Sequence, residues 1–93
     1  MNNRNRHVIS KSKHVVTRVV DGEAVIVEPQ KGMVNVINTV GSRIWELLDG
    51  KHTVAEIANV IADEYEVSPE QALSDTMEFI EDIESKRLAS AKY

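Results

Sequence analysis

Residues 37–56 contain two helix starts and one helix stop within twenty positions, and few small folds accommodate that order. Val40, Ile44, Leu47 and Leu48 recur at i, i+4, i+7 and i+8, which puts them on one face of a helix. Asn38 or Thr39 can cap its start, because a short side-chain oxygen accepts from a main-chain N–H that has no partner inside the helix. Asp49-Gly50 stops it, since glycine adopts the left-handed conformation past a helix end at little cost. Thr53-x-x-Glu56 then reads as a capping box that opens a second helix. The spacing predicts helices over residues 39–48 and 54–65, the second with Val54, Ile57, Ala58, Ile61 and Tyr65 on one stripe.

The flanks are equally readable. Residues 15–20 and 23–28 are rich in β-branched side chains and enclose Asp21-Gly22, the pair suited to a two-residue type I′ hairpin turn. Pro29-Gln30-Lys31-Gly32 makes a second turn before a third β-rich run at 33–37. Downstream, Ser68-Pro69-Glu70-Gln71 reads as cap, first helical position and capping box of a third helix reaching about residue 86. Its apolar side is Ala72, Leu73, Thr76, Ile80 and Ile83, with Met77 and Phe79 at the two edges. The expected fold is α+β: a three-stranded antiparallel meander followed by three helices packed on one sheet face. One domain is expected over residues 15–93, after a flexible basic tail at 1–14.

Charge narrows the partners. Residues 1–18 hold five basic groups and no acidic one, whereas the remaining 75 hold six basic and fifteen acidic groups. A body of that sign repels phosphate backbones, which argues against nucleic acid as the partner. Cysteine is absent, so disulfides, thiolate metal sites and a cysteine nucleophile are excluded. No apolar run approaches the ~18 residues of a membrane span, and the N-terminus has no apolar core of a secretory signal. A cytoplasmic location is expected.

Catalytic chemistry finds little to stand on. His7, His14 and His52 are scattered with no second histidine at helical spacing, and Glu56, four residues after His52, belongs to the capping box. Glu78, Glu81, Asp82 and Glu84 read as a solvated helix face rather than paired catalytic carboxylates. The glycines are too dispersed to cradle phosphate. No enzyme activity, cofactor or metal is therefore expected. Trp45 lies to one side of its helix stripe, open to two readings: core packing, or an aromatic anchor for a partner.

Asn38-Thr39-Val40-Gly41, then Ile44-Trp45-Glu46-Leu47-Leu48-Asp49-Gly50, then Thr53-Val54-Ala55-Glu56-Ile57 resemble the signature of the PqqD family, the coenzyme PQQ synthesis protein D group and related RiPP recognition elements. Val19-Val20-Asp21-Gly22-Glu23, Asp75, Phe79-Ile80 and Ile83 extend the resemblance over roughly residues 15–88. Arg87-Leu88 departs from the Gly-Leu that the family often has after its last helix. The resemblance implies a winged helix-turn-helix arrangement and a non-catalytic peptide chaperone. The leader of a ribosomally made precursor peptide would add as a strand beside the third strand, in a groove walled by the third helix. The site it implies is Met33, Val34, Asn35, Val36 and Ile37 on the strand, with Asp75, Met77, Glu78, Phe79 and Asp82 on the helix. The implied partner is a peptide-modifying enzyme such as the radical SAM protein that crosslinks Glu and Tyr in PQQ biosynthesis. Two other readings stay open: a winged-helix DNA-binding regulator, which lacks a basic recognition helix here, and a structural homodimer that covers the exposed strand edge.

Overall fold

The computed structural model describes residues 4–92. After a short 3-10 turn at Arg4–Arg6 come β1 (Val8–Lys11), β2 (Val16–Val20), β3 (Glu23–Glu28), β4 (Met33–Val36) and α1 (Thr39–Leu47). Then follow β5 (Asp49–Thr53), α2 (Val54–Tyr65), α3 (Pro69–Ser85) and β6 (Ala89–Lys92). The meander is present, in the order β2-β3-β4, both pairs antiparallel. Asp21 and Gly22 take φ of 52° and 80° between the paired Val20 and Glu23, the two positive angles a type I′ turn requires. The second turn closes with the Lys31 N–H donating to the Glu28 carbonyl at 3.1 Å and with Gly32 left-handed at φ 64°.

Alternation along β3 sends Ala24, Ile26 and Glu28 inward. On the opposite face Val25 and Val27 stand beside Val36 and Val34, their direct partners on β4. That outer face also carries Val16 and Val20 of β2, which are exposed together with Val34 and Val36.

A second sheet, in the order β5-β1-β6, corrects the expected tail and the expected strand count. Residues 8–11 are its central strand: Ile9 is fully buried, and the Ser12 N–H donates to the Leu88 carbonyl at 2.8 Å. The Arg4 guanidinium forms an ion pair with Glu84 of α3. Met1 to Asn3, the start of that expected tail, lie outside the described residues, as does Tyr93. Asp-Gly-Lys-His-Thr in β5 has the composition of a turn and keeps it as a bulge: Gly50 is left-handed at φ 79°, Asp49 Oδ1 accepts from the Lys51 N–H, and only Asp49 and Thr53 stand in register with β1.

Helix ends follow the expected chemistry, with one exception. Asn38 Oδ1 accepts from the Gly41 N–H at 2.8 Å. Thr53 Oγ1 accepts from the Glu56 N–H at 3.1 Å while the Glu56 carboxylate accepts from the Thr53 N–H at 2.7 Å, a complete capping box. Ser68 Oγ accepts from the Gln71 N–H at 3.1 Å, but the Gln71 side chain donates to Asp75 at 2.8 Å instead of returning to the cap, so the expected second box is only half formed. At the end of α3, Leu88 N–H donates to the Ile83 carbonyl and Arg87 N–H to the Glu84 carbonyl, with Arg87 at φ 61°. This is a Schellman ending in which an arginine occupies the left-handed position.

The three helices pack over the inner face of β3 and the second sheet. Ile9, Ile26, Ile44, Leu48, Ile57, Ile61, Ile80, Ile83 and Leu88 form the centre of one core. Trp45 belongs to it, 1% exposed, with its indole N–H donating to Thr17 Oγ1 at 2.9 Å and the Lys11 ammonium 5.5 Å from its ring centre. The core reading of Trp45 therefore holds, and burial lowers the pKa of Lys11.

Candidate peptide-binding site

β4 closes one side of its sheet and has no strand on its far side among the described residues. The antiparallel ladder alternates, and its phase can be read from the Ile37 N–H donating to the Ala24 carbonyl at 2.9 Å. Residues opposite each other at 37 and 24, then at 35 and 26, form the bonded pairs. Val34 and Val36 fall between them, so their N–H and C=O groups point away from β3, toward the open side. An extended peptide can pair with those groups.

The wall across from this edge is α3. A cavity of about 360 Å³ lies between them, lined by residues 34–38, from β4 to the cap of α1, and by Phe79, Asp82 and Lys86 of the helix. It adjoins a larger one of about 570 Å³ that runs under the start of α1 and shares Asn38, Phe79 and Asp82. Asp75 and Glu78 line that second cavity, with Val40, Gly41 and Ile44 across from them. A third, of about 310 Å³, continues past the other end of β4, where Met33 and Asn35 meet Glu28, Lys31, Lys86 and Arg87.

Two local devices bring strand and helices together. A Cβ on Gly41 would lie 2.6 Å from Ile37 Cγ2 and 3.0 Å from Phe79 Cε1, so only glycine lets α1 start this close to both walls. Beside it, the Ser42 hydroxyl accepts from the Ala24 N–H at 2.6 Å and donates to the Ile37 carbonyl at 3.1 Å. That hydroxyl occupies the opening of the β3–β4 ladder where the chain leaves for the helix.

Of the ten residues named from the sequence, Val34, Asn35, Val36, Ile37, Phe79 and Asp82 line one cavity. Asp75 and Glu78 line its neighbour, and Met33 the third. Met77 lines none of the three; it is half-buried against the core. The helix edge that faces β4 is thus the Phe79 edge, running through Asp75, Glu78, Phe79, Asp82 and Lys86 at helical spacing. Glu28, Lys31, Ser85 and Arg87 at the third cavity, and Asn38, Val40, Gly41, Ile44 and Lys86, were not named from the sequence. The i+4 step from Asp82 to Lys86 was the available signal for the last, and a 3.1 Å ion pair joins the two.

The remaining polar clusters lie elsewhere. Arg43 bridges Glu64 and Glu46, which raises its own pKa; the same hydrogen bond lowers that of Glu64. His52 Nδ1 meets the Asp49 carboxylate at 2.9 Å, and that hydrogen bond with the Lys51 N–H lowers Asp49 to about 2. Among the described residues no group of three His, Asp or Glu is placed to hold a metal ion. No described helix is long and apolar enough to cross a membrane.

Known proteins match this arrangement. The family model for coenzyme PQQ synthesis protein D matches residues 23–89. The structure of TbiB1 in complex with the TbiA(beta) leader peptide is similar at 31% identity and a TM-score of 0.81, covering 90% of this chain and 98% of that one. A lasso peptide synthetase B1 complexed with its leader peptide shares the fold at 19% identity and a TM-score of 0.81, covering 89% and 98%. So does the PqqD truncation of Methylobacterium extorquens PqqCD, a stand-alone RiPP recognition element, at 20% identity and a TM-score of 0.74, covering 89% and 88%. No curated protein sequence matches. The family match over most of the chain, from the β3 start to the β6 start, places this protein in the PqqD family.

Proposed function

We propose that the protein is a non-catalytic recognition element that binds the leader of a ribosomally made precursor peptide as a fourth strand on β4. The observation that carries this reading is the open edge of β4, with the N–H and C=O groups of Val34 and Val36 facing a groove walled by α3. Main-chain pairing supplies affinity in such an arrangement, and the cavities around Phe79 supply selectivity. The bound leader keeps the rest of the precursor available to a modifying enzyme, of radical SAM or other type, while the chain itself does no chemistry. The 31% identity with a leader-bound protein supports the reading. The acidic residues along the groove, Asp75, Glu78 and Asp82, disfavour a nucleic-acid backbone there.

The test is a titration of isotope-labelled protein with the leader of a short peptide encoded beside its gene, followed by amide chemical shifts. Shifts concentrated in residues 33–38 and on the Phe79 edge of α3 are expected. Val36→Pro removes one outward N–H while leaving the bonds to β3, and proline is tolerated on an edge strand. Its expected effect is a loss of leader affinity of about tenfold, the worth of one strongly placed hydrogen bond. Unchanged affinity in Val36→Pro, or shifts confined to the outer valine face, would refute strand addition.

A further inference from the structure

The groove beside β4 carries opposite charge at its two ends. At the Asn38 end the cavity is lined by Asp75, Glu78 and Asp82 and by no lysine or arginine. At the Met33 end it is lined by Lys31, Lys86 and Arg87. Asp82 and Lys86 pair with each other midway, which leaves Asp75 and Glu78 facing one end and Lys31 and Arg87 the other. One carboxylate lies among the cations. Glu28, whose side chain is 4% exposed, holds an oxygen without a hydrogen-bond partner, 3.6 Å from Lys31 Nζ and 3.7 Å from His14 Nε2. Its other oxygen accepts a long hydrogen bond from Asn35 at 3.4 Å. Glu28 thus offsets one positive charge and anchors Lys31 at the mouth, and the end remains net positive.

The two ends act separately. Met33 and Asn38 are five residue steps apart, roughly 17 Å of extended chain and twice the screening length of physiological salt. The β2-β3-β4 sheet is antiparallel throughout, and antiparallel addition is the commoner continuation. A strand so added starts at the Asn38 end and finishes at the Met33 end.

We infer that the peptide this groove takes carries basic side chains at the start of its bound segment and acidic ones four or six residues later. The even spacing follows from the pleat, because only alternate side chains of an added strand face α3. This inference rests on the peptide-binding reading above and adds to it the charge order of the ligand.

The test is selection of binders from a displayed library of random twelve-residue peptides on the immobilised protein, repeated with Asp75→Lys/Glu78→Lys. The expected winners place Lys or Arg before Asp or Glu at even spacing, and the double variant loses the basic preference. A synthetic winner should bind about tenfold tighter at low salt than the same peptide with its charges exchanged, and the gap should close at high salt, as it must for solvent-exposed pairs. Winners with the reverse order, or with no charge order, overturn the inference and leave peptide binding intact. A library with no enrichment over an unrelated control protein overturns both.

Discussion

Ser42 is the residue whose removal tests most directly how the groove is held open. Its hydroxyl accepts from the Ala24 N–H at 2.6 Å and donates to the Ile37 carbonyl at 3.1 Å. Ala24 is 2% exposed, so water does not readily replace the lost partner. Ser42→Ala therefore leaves one donor and one acceptor unpaired where β3 and β4 part. Each unsatisfied buried group costs about 1–3 kcal/mol. The Ile37 carbonyl lies nearer the surface and the strands can close slightly, so the sum should fall near ~2 kcal/mol rather than at the upper limit. For a domain of this size that is a drop of about 8–16 °C in Tm. Urea unfolding reads it cleanly, because Trp45 is the one tryptophan and lies in the core. The midpoint should fall with an unchanged slope, and Ser42→Thr, which keeps the hydroxyl, should recover most of the loss. A Ser42→Ala midpoint equal to that of the parent protein would show that the hydroxyl bridge holds nothing, and that the ladder closes without it.

Three further outcomes follow from the same geometry. Arg87→Gly should stabilise the protein by up to ~1 kcal/mol in chemical denaturation, because glycine adopts φ 61° without the strain an arginine meets there; a destabilised variant would contradict the Schellman reading. Gly41→Ala should cost about 1–3 kcal/mol, since the added carbon meets Ile37 and Phe79 inside contact distance; thermal unfolding at the parent Tm would show that α1 has room to move. Asp49, lowered to about 2 by its hydrogen bonds with His52 and Lys51, should titrate by carboxyl carbon shifts with a midpoint near 2. Its folded pKa lies below the unfolded value, so its contribution to stability is complete above about pH 4 and is lost as pH falls through about 2. A midpoint at 3.8 would contradict the contact.

Local chemistry made much of this fold readable. The Asp21-Gly22 hairpin, the Asn38 and Thr53 caps and the helix stripes each depend on residues within four positions of one another. The second sheet was not readable for the opposite reason. Val8 pairs with Thr53 and Lys92, forty-five and eighty-four positions away, and none of those strands carries a β-rich run of its own. At the site, the strand half could be named because it is contiguous, whereas the helix half required knowing which edge of α3 turns toward β4. Phe79 and Met77 have equal claims by composition; in the fold Phe79 lines the groove beside Gly41, whereas Met77 packs against the core. Gln71 shows the limit of motif reading at a smaller scale: the capping-box spacing was correct, and a carboxylate one turn on took the side chain instead.

The β2-β3-β4 sheet ends in an unpaired strand on both sides among the described residues. Such a sheet is a bifunctional monomer in the polymer sense. If the β4 side of one copy joins the β2 side of another, the operation does not close and can repeat without limit. A peptide seated on β4 would remove that joint altogether, since a copy whose β4 side is occupied can add to no neighbour's β2 side.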